Sequence, residues 1–258
     1  MMSNYYFKVD NIKRGEGRSI TSSMSYISGR TLYDCYNEKT YYCRRNDVLH
    51  CEVYQPHNAP AQFKDLQYLC NAIDKAENRY DSRTGREFIC SLPNELLLPE
   101  LIKIVDEYVT EHFVEKGLCA VAAIHEGRNK DDPDKNNPHV HIIVSTRTVG
   151  PDGFNKKKDR EHNKTDYTRI WRSSWSGVQN RAYERNGLDI RVSHESLEVQ
   201  GIRRKPLPYL NRIDYQKEER GIRTSAGDRR RAVQEYNRML VQKRQLKRTR
   251  GLEIELSR

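Results

Sequence analysis

The sequence contains no long apolar run: no stretch reaches the roughly eighteen residues that a transmembrane helix needs. Its N-terminus also lacks the basic-then-apolar order of a signal peptide. The 6 cysteines have no paired spacing, which favours reduced thiols over a disulfide framework. A zinc site built from Cys35, Cys43 and Cys51 stays open as an alternative. These absences predict a soluble, cytoplasmic protein without membrane insertion.

Positively charged residues outnumber negatively charged ones. The chain has 258 residues, a formal net charge of +10 and a sequence pI of about 9.3, so we expect a polyanionic partner. A membrane surface is the rival partner, but no segment combines a basic helical face with a Trp/Phe/Leu face. The length suffices for one large domain, or for a domain with an appendage.

The periodicity of apolar residues predicts an α+β fold with a central, mostly antiparallel sheet flanked by helices. Strands are predicted over residues 5–12, 48–54 and 86–93, and helices over residues 19–33, 63–80 and 99–115. Two further strands follow. A polar loop over 155–164, a helix over 167–186 and a basic helical segment from Asp228 complete the chain. We expect a main domain over 1–200 and a basic C-terminal extension of the same domain over 201–258.

Two histidines alternate with apolar residues on one of these strands. His139 and His141 project to one face, and Val140 and Ile142 to the other. A second apolar strand upstream ends near His125, and pairing of the two strands as a hairpin would bring all three imidazoles together. Three neutral imidazoles that leave coordination positions open are typical of a catalytic metal site. The alternative is an ordinary polar face on a half-exposed strand.

Basic residues concentrate in two places outside the predicted sheet, which are the polar loop over 155–164 and the segment over 220–250. Residues 220–250 carry eleven cations against two anions, which would repel one another unless phosphates neutralise them. A solvated face is the alternative interpretation. The expected DNA contacts in these two regions are Lys156, Lys157, Lys158, Arg220, Arg223, Arg229, Arg230 and Arg231.

Several segments, taken in order, resemble the MobA/MobL family of conjugative relaxases, within the HUH endonucleases. They are GRSITSSMSY (17–26), REFICSLP (86–93), AIH (123–125), NPHVH (137–141) and parts of 171–194 and 220–224. Only the Asn-Pro-His-x-His strand is specific by itself. The resemblance spans most of the chain and implies the HUH, palm-like core of a relaxase.

The resemblance implies an enzyme that nicks one DNA strand at a plasmid or integrative-element origin of transfer through a 5′-phosphotyrosine intermediate. The nucleophile position falls on Tyr26, which spacing alone does not distinguish from four nearby tyrosines. The metal ligands fall on His125, His139 and His141, and the acidic helper falls on Glu87, either as a base or as a carboxylate that orients a histidine. In the turn before Tyr26, Arg14 and Arg18 are expected to touch phosphates. Mg²⁺ or Mn²⁺ is the favoured ion, with Co, Ni and Zn open.

The implied partners are single-stranded and hairpin DNA at the origin, accessory relaxosome proteins and a coupling protein. The rival functions on the same fold are a rolling-circle replication initiator and a non-catalytic DNA-binding module. Tyr26 precedes the His-x-His strand, and this order favours a relaxase over an initiator. The loop between His125 and His139 is longer and richer in Asp and Lys than the family pattern. No helicase or primase extension is present, so a naturally short relaxase and an excised catalytic domain both stay open.

Overall fold

The computed structural model describes residues 5–129, 132 and 136–256, and the chain divides into two compact units, Met1–His194 and Glu195–Arg258. The strands of the first unit are β1 (Phe7–Lys13), β2 (Leu32–Asp34), β3 (Lys39–Tyr41), β4 (Val48–Tyr54), β5 (Arg83–Ser91), β6 (Leu118–His125), β7 (His139–Gly150) and β8 (Gly153–Phe154). Its helices are α1 (Ile20–Ser28), α2 (Leu66–Ala76), α3 (Leu98–Val109) and α4 (Thr165–Arg185).

The main sheet has the strand order β1-β5-β7-β6-β4, and every neighbouring pair in it is antiparallel. The short strand β8 pairs with the end of β7, and β2 pairs with β3 as a separate hairpin. The predicted α+β class with a central antiparallel sheet is therefore confirmed, as is the β6–β7 hairpin.

The two faces of the sheet bury different helices. Val140, Ile142 and Val144 of β7 join a core with α3 and α4, whose fully buried Trp171 and Trp175 lie in it. Alternate residues of the same strands point the other way and pack against α1 and α2. The predicted separation of the histidine face from the apolar face of β7 is confirmed, and the histidine face is the one that α1 covers.

Helix α1 is shorter than the predicted 19–33. The Ser19 side chain accepts a hydrogen bond from the Ser22 N–H at the start, and Gly29 ends the helix with φ of 67°. The chain then turns into β2, so the predicted last turn of helix is a strand. At Gly85 of β5, an added Cβ would lie 2.6 Å from Ile20 Cδ1, which shows how closely α1 approaches the sheet.

The strand predicted over 48–54 is confirmed as β4, whereas the next two predicted helices have bounds that are wrong by a few residues. The helix predicted over 63–80 is a 3₁₀ turn followed by α2, because the Asp65 side chain accepts from the Tyr68 N–H and starts a new helix there. The helix predicted over 99–115 ends in a π-helical turn, Thr110–Val114. In the loop between β6 and β7, residues 130, 131 and 133–135 lie outside the described residues.

The second unit contains α5 (Arg212–Glu219) and α6 (Ser225–Leu256). The sequence did not predict α5. The helix predicted from Asp228 begins three residues earlier, at Ser225, and the Thr224 hydroxyl accepts the Gly227 N–H. Among the described residues, no helix is both long enough and apolar enough to cross a membrane.

Candidate active site

Three histidines meet at one end of the β6–β7 hairpin. His125 pairs in register with His139, and Ala123 pairs with His141, so the three imidazoles lie side by side on the face covered by α1. One ring nitrogen from each lies within 4.8 Å of the others. His125 is fully buried and His141 is 7% exposed. The group is therefore close enough to hold one metal ion after a small contraction, because metal–nitrogen bonds are about 2.0–2.1 Å long.

Hydrogen bonds fix one nitrogen of each ring and leave the other available. The Nε2–H of His125 donates to the Ile27 carbonyl oxygen at 2.7 Å, and Nδ1 of His125 is buried without a hydrogen-bond partner among the described residues. His139 Nδ1 lies 2.9 Å from the Asn137 carbonyl oxygen, which can only accept a hydrogen bond. His141 Nδ1 lies 3.3 Å from the Glu87 carboxylate. Each ring thus presents one lone pair, as a metal site requires.

The protonation states also suit a metal site. Burial lowers the pKa of His125 to about 4 and also lowers the pKa of His139, so both imidazoles are neutral near pH 7. The group that can hold a metal among the described residues consists of the three histidines. It does not include Cys35, Cys43 or Cys51, so the alternative zinc site has no structural support.

Glu87 lies on β5 beside this group, and both of its carboxylate oxygens are occupied. One lies 3.3 Å from His141 Nδ1, and the other accepts a hydrogen bond from the Arg18 guanidinium at 2.7 Å. Burial favours a raised pKa for Glu87, but the hydrogen bonds from His141 and Arg18 outweigh it and hold that pKa below its ordinary value. Glu87 is thus a charged carboxylate that holds the His141 ring in place.

Tyr26 projects from α1 next to the histidines. It is 50% exposed, and its ring meets the His141 ring edge-on, with 6.3 Å between the centroids and 82° between the planes. The next residue, Ile27, provides the carbonyl that accepts from His125. Helix α1 is therefore tied to the histidine group one residue away from Tyr26.

Sequence reasoning missed Arg45, which lies in the connector between β3 and β4. Its guanidinium carbon lies 4.4 Å from the centre of the Tyr26 ring. Asp47 accepts two hydrogen bonds from the same guanidinium, at 2.8 and 2.5 Å. These bonds, followed by the attraction of Tyr26, raise the pKa of Arg45. The Arg-x-Asp spacing was the only sequence signal available, and it is too common to select this residue.

The expected phosphate contact at Arg14 is corrected by the structure. Its side chain is only 9% exposed, and it forms a salt bridge with Asp74 at 2.8 Å. It also donates to the carbonyl oxygens of Glu77 and Arg79 and stacks on the Tyr36 ring. All of these contacts hold the protein together, so Arg14 is not available to DNA.

Arg18 and Lys158 are also engaged within the protein. Arg18 donates to Glu87 and to the Asn11 carbonyl oxygen, and Lys158 lies 2.8 Å from the buried Glu77 carboxylate. Lys156 and Lys157 are exposed. Exposed and internally paired cations could not be distinguished from the sequence, because the partners of the paired ones are distant in the chain.

In the second unit, several expected DNA contacts pair with acidic residues. Arg223 and Arg231 lie 2.5 and 2.6 Å from Asp228, and Arg231 also lies 2.5 Å from Glu218. Arg230 donates to the Pro208 carbonyl oxygen. The argument that only phosphates relieve this charge run is therefore wrong in part. Arg220 and Arg229 are exposed.

A family model provides the decisive comparison. The model described as "MobA/MobL family" matches residues 18–220, which include Tyr26, Glu87 and the three histidines. The chain belongs to the MobA/MobL family. The resemblance that the motifs indicate is therefore confirmed.

Two curated relatives of this chain are described as mobilization proteins. The chain is 33% identical over 162 residues to a probable mobilization protein MobA of Bifidobacterium longum, a match that covers 62% of this chain and 28% of that protein. It is 28% identical over 240 residues to the mobilization protein MobL of Acidithiobacillus ferridurans, covering 81% of this chain and 62% of that protein. The chain thus spans between about a quarter and two thirds of the length of these curated relatives.

A solved structure shares the fold of this MobA/MobL chain. It is described as the molecular basis of vancomycin resistance transfer in Staphylococcus aureus, and its TM-score is 0.67 at 27% identity. The match covers 75% of this chain and all of that one. This likeness agrees with the predicted α+β fold, a central antiparallel sheet flanked by helices.

Proposed function

We propose that this chain is the strand-specific relaxase of a mobile element, which nicks one DNA strand at an origin of transfer and later rejoins it. The observation that carries the proposal is the placement of an exposed tyrosine against a three-histidine group: Tyr26 lies edge-on to His141. A non-catalytic DNA-binding module would need the basic surface but not this contact. The mobilization proteins among the relatives support the same function.

In the proposed reaction, the Tyr26 hydroxyl oxygen attacks phosphorus and a P–O bond to tyrosine forms. The P–O3′ bond of the DNA breaks, the phenol gives up its proton, and the departing 3′ oxygen gains one. The resulting phosphotyrosine ester keeps the energy of the cleaved bond, so the reverse attack by a 3′ hydroxyl rejoins the strand without ATP.

The three histidines would hold one divalent ion. Such an ion would polarise the scissile phosphate and offset the charge that develops in the transition state. Imidazole ligands suit Mn, Co, Ni or Zn, whereas cellular abundance favours Mg. We propose Mg²⁺ or Mn²⁺ as the working ion.

Glu87 acts in this proposal by orienting His141 rather than as the base that deprotonates Tyr26. Both of its oxygens already accept hydrogen bonds, from His141 and from Arg18. A carboxylate in this state fixes the tautomer and the ring plane of the ligand and increases its basicity. Arg18 contributes to this orientation, because it donates a hydrogen bond to the second carboxylate oxygen of Glu87.

The substrate proposed for this site is single-stranded DNA with an adjoining hairpin. Lys156 and Lys157 in the first unit, and Arg220 and Arg229 in the second, are the exposed cations that we propose as phosphate contacts. Accessory relaxosome proteins and a coupling protein are the proposed protein partners.

The test is incubation of the protein with supercoiled origin DNA and Mn²⁺ or Mg²⁺, followed by denaturing electrophoresis. We expect protein joined to a 5′ DNA end in the parent, and none in Tyr26→Phe, which binds the same DNA with nearly unchanged affinity. Tyr33→Phe is the matched control, because it removes an exposed hydroxyl nearby in sequence. Adducts that persist in Tyr26→Phe, or that vanish only in Tyr33→Phe, would show that the nucleophile is another residue.

A further inference from the structure

The Arg45 side chain joins the helix that carries Tyr26 to the strand that carries His125. Its guanidinium lies against the Tyr26 ring, 4.4 Å from the centroid. On its other side it is held by two hydrogen bonds to Asp47. The backbone oxygen of Asp47 in turn accepts the N–H of Glu126, the residue after His125. A continuous set of interactions thus leads from Tyr26 to the end of β6.

This arrangement restrains a side chain that is otherwise free to move. Tyr26 is half exposed, so much of its ring faces solvent. An exposed side chain samples several rotamers, and this freedom must be given up before the hydroxyl can attack. Arg45 is only 18% exposed and is fixed by a planar, two-point contact with Asp47, so it presents a rigid surface to the ring.

The charge of Arg45 also suits the chemistry. The reaction builds negative charge on the tyrosine oxygen whenever that oxygen is a nucleophile or a leaving group. A preformed cation beside that oxygen stabilises the charge without having to reorganise. Asp47 neutralises part of the Arg45 charge through hydrogen bonds to Nε and one terminal nitrogen, and the guanidinium carbon still lies 4.4 Å from the centre of the Tyr26 ring.

We propose that Arg45, held by Asp47, is a positioning residue that fixes the Tyr26 ring over the histidine group and stabilises the tyrosine oxygen in cleavage and rejoining. This inference rests on the proposed function, since it concerns the same tyrosine. It adds a residue that no motif of the chain selects. It also gives the connector between β3 and β4 a role in the reaction.

The rival role for Arg45 is a simple phosphate contact, and the two roles differ in kinetics. A phosphate contact contributes to DNA affinity in the ground state. A positioning residue contributes to the rate at saturating DNA and leaves affinity nearly unchanged. The decisive measurement is therefore the single-turnover rate of adduct formation on a single-stranded origin oligonucleotide, at several DNA concentrations.

The variants are Arg45→Gln, Arg45→Lys and Asp47→Asn, with Arg44→Gln as the matched control. Arg44 is exposed and adjacent, so its variant removes the same charge from the same connector. We expect Arg45→Gln to lower the saturated rate about 100-fold with DNA affinity nearly unchanged. Arg45→Lys should recover part of the rate, Asp47→Asn should fall between the parent and Arg45→Gln, and Arg44→Gln should match the parent.

A second readout does not depend on cleavage. In protein with ¹³C-labelled tyrosine, the Tyr26 ring signal is identified by its disappearance in Tyr26→Phe. We expect this signal to shift in Arg45→Gln and in Asp47→Asn but not in Arg44→Gln, with the remaining tyrosine signals showing that each variant is folded. An unmoved Tyr26 signal would overturn the inference.

The outcomes separate the inference from the proposed function. If the parent forms adducts and Arg45→Gln forms them at the parent's saturated rate, the inference falls and the relaxase function stands. If Arg45→Gln loses affinity alone, Arg45 is a phosphate contact and the inference also falls. If the parent forms no adduct on any origin DNA while the NMR shifts occur as expected, the proposed function fails and the positioning contact stands.

Discussion

Replacing Glu87 by Gln distinguishes the two roles open to this residue. One carboxylate oxygen accepts a hydrogen bond from His141, and the other accepts one from Arg18. A glutamine side chain has one oxygen and one NH₂ group, and the NH₂ group can only donate. Because both His141 Nδ1–H and Arg18 are donors, glutamine can satisfy only one of them. The substitution therefore breaks one of the two hydrogen bonds while it keeps the size of the side chain.

The expected magnitude follows from the role of a carboxylate that orients a metal ligand. Removal of such a partner lowers metal affinity about 10- to 100-fold, or roughly 1.4 to 2.7 kcal/mol. We expect titration calorimetry with Mn²⁺ to show this weakening in Glu87→Gln. We also expect that the rate of adduct formation returns close to the parent's value when the Mn²⁺ concentration is raised to saturation.

The control for this substitution is Glu52→Gln on the edge strand β4. Glu52 is 51% exposed and lies 3.3 Å from His50, so its variant removes one carboxylate from the same sheet away from the site. It should titrate Mn²⁺ like the parent. Unchanged metal affinity in Glu87→Gln, combined with a roughly 10²- to 10⁴-fold lower rate at saturating metal, would refute the orienting role and identify Glu87 as a general base.

Three further outcomes are expected. Changing His139 and His141 together to Ala should remove the single Mn²⁺ site in calorimetry, because one imidazole cannot hold a labile ion; an unchanged titration would contradict the metal assignment. Deleting residues 195–258 should flatten the salt dependence of DNA binding by roughly 0.7 to 0.9 in log-log slope for each phosphate that the shortened protein no longer neutralises. If the shortened protein shows the same slope as the parent, the DNA surface lies in the first unit. In metal-free protein, the pKa of His125 lies near 4 instead of 6.5, so the unfolded chain binds more protons between these values. The stabilisation from this neutral imidazole is complete above pH 6.5 and is lost as pH falls towards 4, by about 3 kcal/mol in denaturant unfolding; His125→Gln should show a flatter profile, and an equally steep one would refute the assignment.

The convergence of the three histidines could be predicted from the sequence because strand geometry leaves little freedom. Residues two apart on a strand must share a face, so His139 and His141 converge wherever β7 lies in the sheet. The β6–β7 hairpin then fixes the position of His125 by register. The buried face of α4 follows in the same way from its helical period, and Trp171 and Trp175 lie where the period puts them.

The hydrogen-bond and ion-pair partners of side chains could not be predicted from the sequence, because they depend on contacts between distant segments. Arg14 meets Asp74, which is 60 positions away, and Arg18 meets Glu87, which is 69 positions away. The choice of Tyr26 came from the family pattern, and the structure places its ring edge-on to His141. Arg45 could not have been selected, because only the folded connector brings it onto the Tyr26 ring.

Because many cations are paired within the protein, the net charge is a poor measure of how many phosphates the protein binds. A cation already paired with a carboxylate releases few counterions from DNA unless that pair opens, so the formal charge of +10 overstates the number of phosphates that the protein neutralises. The internally paired cations of the expected DNA surface are Arg14, Arg18, Lys158, Arg223 and Arg231. The salt slope of the parent should accordingly reflect the exposed set, Lys156, Lys157, Arg220 and Arg229, more than the basic run as a whole. Replacing Arg229 by Gln should therefore lower the slope by the amount of one phosphate. Replacing Arg231 should leave the slope unchanged and instead destabilise the packing of α5 on α6, because Glu218 then loses its paired cation and keeps only the hydrogen bonds from Thr224.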